Sequence, residues 1–167
     1  SLTKVTVADL PSWCAIEFAN AAANPLTYAH HLWTNGSMIA SDGNWSTLQP
    51  LVPLIGSYAL SGWTDLQNLT IEGYVDVVEN SAFTGCTNLT SVTINDNLDA
   101  IASATYTSTN NLKTRFGSQV TSYTLGPHVT TIGDYAFYNC SGMTEVTFQG
   151  PVSSMGNDAF KGCTGLT

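Results

Sequence analysis

Apolar positions in this chain recur with a period of 23. Ile132, Ala136, Phe137, Cys140 and Met143 are followed at that offset by Met155, Ala159, Phe160, Cys163 and Leu166. The same step carries Ile55, Ala59, Leu60, Trp63, Leu66, Leu69 and Ile71 onto Val78, Ala82, Phe83, Cys86, Leu89, Val92 and Ile94. A third register continues at Leu98 and Ile101. Ile132 then follows Ile101 by 31 residues, so this repeat carries eight extra residues somewhere within 102–119, after which the register resumes.

Each repeat has two parts with different spacing. In Leu89-x-x-Val92-x-Ile94 the last three positions alternate apolar and polar, which suits a strand with one buried face. In Ile132-Gly133-x-x-Ala136-Phe137-x-x-Cys140 the bulky residues fall three to four apart, as one helical turn places them, and Gly133 marks the bend. A single unit of this kind cannot bury its own apolar face. Stacked on its neighbours it forms a continuous core, with the strands in a parallel sheet. The pattern therefore predicts an α/β solenoid, with short strands and helical turns on the face away from the sheet.

The opening Leu2-x-x-Val5-x-Val7 restates the strand part, and Leu166-Thr167 begins another. Both ends are expected to belong to a longer array or to be covered by a partner, because solenoids usually need polar terminal caps. Between Val7 and Leu48 the period is lost, so residues 8–47 read as a structured insertion and 48–167 as the repeats. In the insertion, Asn24-Pro25 predicts a short helix through Tyr28 and His30. Asn35-Gly36, between Leu32-Trp33-Thr34 and Ser37-Met38-Ile39, predicts a hairpin. Leu10, Trp13 and Ile16 fall on one amphipathic turn and are expected to seal a local core.

The units Val129 to Thr144 and Val78 to Thr90 resemble the 23-residue leucine-rich repeats of the BspA-like (treponemal) type. Trp13-Cys14-x-Ile16-x-Phe18, with Ala23 to Leu32 and Asn35-Gly36, is similar to a segment recurring in that family. The resemblance implies a right-handed leucine-rich-repeat superhelix in a bacterial or protozoan protein of the cell surface or extracellular space. It also implies adhesion to host proteins or neighbouring cells. Two departures predict local distortion: Leu60 and Trp63 stand where Phe and Cys are usual, and the third repeat has lost its Ala-Phe-x-x-Cys run.

Composition narrows the function. Four Lys and Arg stand against 12 Asp and Glu, giving a formal net charge of -8 and a pI near 4.3. Such a surface repels phosphate backbones and anionic lipid, so nucleic acid is excluded as a partner. No apolar run approaches the roughly 20 residues of a membrane span. Sixteen Ser, 23 Thr and 13 Asn supply an uncharged polar surface instead.

Candidate chemistry is sparse. Cys86, Cys140 and Cys163 share one repeat position, which places Cys140 and Cys163 on adjacent rungs about 5 Å apart. Such a position selects small buried groups, and free thiols are favoured over a bridge. His30-His31 lacks an acid or Cys at ligand spacing, and Asp76 and Asp99 stack only two carboxylates, so neither pattern calls for a metal. No nucleophile motif or phosphate loop occurs, so no enzyme activity, cofactor or metal is expected.

The sheet face is the first candidate site. Its central row is Thr6, Thr70, Thr93, Thr124 and Thr147, flanked by Asn68, Ser91 and Ser122 on one side and by Glu72 and Asn95 on the other. Repeated Thr also suits any exposed strand. The second candidate is the inserted loop, with Tyr106, Asn110, Asn111, Lys113 and Arg115, which concentrates two of the four basic residues. The expected function is a non-catalytic adhesion module that binds a host or neighbouring-cell surface protein. The alternatives are a structural spacer whose ends self-associate, and a carbohydrate-binding module that uses exposed aromatics.

Overall fold

The computed structural model describes residues 1–46, 51–95 and 106–167. Its main sheet is parallel and five-stranded: β4 (Asn44–Ser46), β6 (Asn68–Ile71), β8 (Ser91–Ile94), β9 (Ser122–Leu125) and β11 (Glu145–Phe148) lie side by side in chain order. Alternation along each strand turns one face inward. The inner row of Trp45, Leu69, Val92, Tyr123 and Val146 is in register. All but Val146, at the free edge, are buried.

Short strands form on the other flank of the coils. β5 (Leu54–Ile55) pairs with β7 (Val77–Val78), and β10 (Thr131–Ile132) with β12 (Ser154–Met155), both in parallel. Between the flanks runs a column of tight turns linked rung to rung by backbone bonds. Leu60 N donates to Ala82 O at 3.1 Å, and Phe137 N to Ala159 O at 2.8 Å. The coils therefore lie one on another, as the 23-residue period predicts, and Phe137 stacks on Phe160 at 4.8 Å with the rings 8° from parallel.

The expected distortion at Leu60 and Trp63 is absent. Both are fully buried, the bond from Gly62 N to Thr84 O is kept, and Trp63 fills the larger volume against Trp45 at 5.4 Å. The inserted repeat is rebuilt instead. A short helix, α3 (Leu112–Phe116), takes the place of the lost turn in the column. Ser81 N and Phe83 N donate to Thr114 O and Arg115 O, and Leu112 N donates onward to Ala136 O. Phe116 fills the aromatic slot, 5.5 Å from Phe83. Leu98 and Ile101 lie outside the described residues.

The amino-terminal part shares this core, which runs from Val5 to Ala159. β1 (Val5–Val7) pairs in parallel with β2 (Leu32–Thr34), and β2 turns back through Asn35-Gly36 into β3 (Ser37–Met38). Thr6 is thus beside Trp33 in a separate three-stranded sheet and does not continue the Thr70 row. The member of that row next to Thr70 is Ser46. The chain between β1 and β2 intervenes, carrying α1 (Leu10–Cys14) and α2 (Leu26–Ala29). Leu10 and Cys14 are buried by α1, but Ile16 is 40 % exposed and seals nothing.

Buried Asn24 ties this part to the repeats. Its Oδ1 accepts from Leu26 N, and its Nδ2 donates to Tyr58 O at 2.7 Å and Ala59 O at 3.0 Å. His30 ends α2 in the left-handed region (φ 65°), with Nδ1 3.0 Å from Gly62 O, and His31 pairs with Asp65 at 2.8 Å. Both histidines act in the scaffold.

Candidate functional site

The outer face of the five-stranded sheet presents two straight rows. Ser46, Thr70, Thr93, Thr124 and Thr147 form one, and Asn44, Asn68, Ser91, Ser122 and Glu145 the other. Strands about 4.8 Å apart make each row about 19 Å long, with residues i and i+2 of a strand roughly 6.7 Å apart across the rows. Glu145 and Thr147 on β11 are open to solvent, as are Asn44 and Asn68 at the other end, while the remaining members of the two rows are half-buried. Amides link neighbours at the rim: Asn68 Nδ2 donates to Asn44 Oδ1 at 2.9 Å, and Asn95 Nδ2 to Glu72 Oε1 at 3.0 Å. A rigid ladder of hydroxyls and amides of this kind can donate and accept along its whole length at little further ordering cost.

The inserted loop divides differently from the sequence expectation. Tyr106, Asn111 and Arg115 are 3 %, 2 % and 1 % exposed, so they do not offer a binding surface. The Arg115 guanidinium turns inward, donating from Nη1 to Asn110 Oδ1 at 2.6 Å and Asn111 O at 3.1 Å, while Tyr106 stacks against it at 5.5 Å. Burial pushes its pKa below the ordinary value, with Tyr106 and Glu79 acting the other way. A buried charge persists only when its donors are satisfied, and here it anchors the loop to the coils. Asn110 and Lys113 stay half-exposed.

All four cysteines are free thiols. Cys86 Sγ donates to Leu60 O at 3.1 Å and Cys163 Sγ to Phe137 O at 3.0 Å, each thiol bonding a carbonyl 26 residues earlier. Burial pushes the thiols of Cys14, Cys86 and Cys140 up to about 12. Among the described residues no three His, Cys, Asp or Glu converge on a metal-sized site, and no helix is long and apolar enough to cross a membrane. Asp76 is exposed, and Asp99 lies outside the described residues.

Stacked 23-residue coils with a parallel sheet on one flank and turns on the other define a leucine-rich-repeat solenoid. The model of the BspA type leucine-rich repeat region matches residues 44–167 in six copies, and the chain belongs to that family. Among solved structures, a leucine-rich repeat protein from Bacteroides ovatus is 19 % identical, with a TM-score of 0.29. The match covers 75 % of this chain and 48 % of that one, so the chain spans about half the length of that protein. No curated protein matches.

Proposed function

We propose that the chain is a non-catalytic protein-binding module of a cell-surface or secreted protein, engaging a host or neighbouring-cell protein through the outer face of its sheet. The row from Ser46 to Thr147 carries this reading, because it supplies a long, rigid, uncharged polar strip backed by a packed core. Family membership supports an interaction role for the repeats. The test replaces Thr93 and Thr124 together with Arg. Adhesion of the purified protein to cells should be lost while the chain still unfolds in one cooperative transition, since both positions are half-buried on the outer face and leave the end of a long side chain free to reach solvent. Unchanged adhesion would move the site elsewhere.

A further inference from the structure

On the turn column, away from the sheet's outer rows, α3 and the loop before it meet the turn at Tyr138-Asn139. They border an open depression of about 490 Å³. Ser108, Thr109, Lys113, Ser118, Tyr138 and Asn139 line it, and none of the lining residues is acidic in a chain with 12 acids. Among the described lining residues Lys113 carries the one charge. Its Nζ donates to Asn139 O at 3.1 Å, which holds the ammonium beside the cleft and leaves two of its three donors for another acceptor. Lys161, by contrast, pairs with Asp158, Arg115 is buried, and Lys4 lies over the Trp33 ring.

The other lining groups are hydroxyls, amides and one aromatic ring. Tyr138 is held edge-on against Tyr135 at 5.4 Å and lines one side of the cleft. Hydroxyls that both donate and accept match the alternating donors and acceptors of a sugar ring, and a ring face packs on its C–H groups. A single fixed cation selects one carboxylate. We infer that this cleft binds an acidic monosaccharide unit, a hexose ring bearing one carboxylate, with Lys113 on the carboxylate and Ser108, Thr109 and Ser118 on the hydroxyls. The site is separate from the sheet face, so either can fail without the other.

Titration of the 15N-labelled protein with galacturonate, galactose and acetate, followed by amide shifts, tests this. Galacturonate should move the amides of Lys113, Thr114, Ser118 and Asn139 saturably, with a Kd on the order of 1 mM. Galactose and acetate should each bind about tenfold more weakly, and Lys113→Gln should cost galacturonate about tenfold. Thr109→Trp, at an exposed loop position, should block the cleft in a chain that still melts as the parent does. The inference is overturned by acetate matching galacturonate, which marks an adventitious anion only. It is equally overturned if Lys113→Gln or Thr109→Trp binds unchanged, if no amide moves, or if the shifts fall on Thr93 and Thr124.

Discussion

Thr93 stands directly beside Thr124 in the parallel ladder, although the connection between their strands is eight residues longer than its neighbours. Thr121 Oγ1 still reaches Thr90 O, 31 residues back, as Thr144 Oγ1 reaches Thr121 O, 23 back. The sheet thus absorbs none of the extra length. The insertion is taken up in the connection and in the turn column, where α3 replaces a turn and supplies Phe116 to the aromatic series.

Phe116 should therefore be the residue on which the irregular coil depends. It is fully buried between Phe83 at 5.5 Å and Tyr123 at 6.4 Å. Phe116→Ala removes a buried ring from a site held rigid on both sides and should cost about 3–5 kcal/mol in urea unfolding. Phe160→Ala, at a partly buried position on the last coil, should cost less than half of that. Equal losses would mean that the last coil is packed as tightly as the interior.

The period and the strand and turn parts were legible because vertical stacking forces residues 23 apart into one environment. Thr6 was misread because Leu2-x-x-Val5-x-Val7 has the strand pattern. Pattern alone does not say which strand is the neighbour, and the 8–47 segment returns β2 to pair with it. Arg115 was misread because a cation in a polar loop looks solvated. Only the position of Asn110 and Tyr106 reveals that its charge is spent inside. The cleft at Lys113 joins residues from two coils, so no local motif announces it.

The thiols give the fold a definite response to alkali. Cys14, Cys86 and Cys140 ionise near pH 9 when exposed, whereas burial pushes them up to about 12 in the folded chain. The unfolded chain loses these protons first. Their contribution to stability is whole below about pH 8.5 and is lost progressively as pH rises toward 12. The melting temperature should be level from about pH 7 to 8 and fall above about pH 9, less steeply in Cys86→Ala. Iodoacetamide at pH 8 should modify Cys163, which is only partly buried, before the other three. Uniform labelling in the native state would contradict this burial order.

Gly62 and Gly85 occupy the same repeat position, yet they should respond unequally to the same substitution. Both adopt a left-handed backbone, φ +79° and +77°. A Cβ on Gly85 would sit 3.5 Å from Gly62 Cα and N, an ordinary contact, so Gly85→Ala should cost only the conformational term, about 1–2 kcal/mol. On Gly62 the added carbon would lie 2.5 Å from Thr27 Cα, which is backbone and cannot rotate away. The amino-terminal segment would have to lift from the repeats there. That movement would strain the contact of His30 Nδ1 with Gly62 O and the bond from Thr64 N to His30 O. Gly62→Ala should cost roughly 3 kcal/mol or more and should speed amide exchange at Thr64. Similar losses at the two glycines would show that the 8–47 segment rests loosely on the coils.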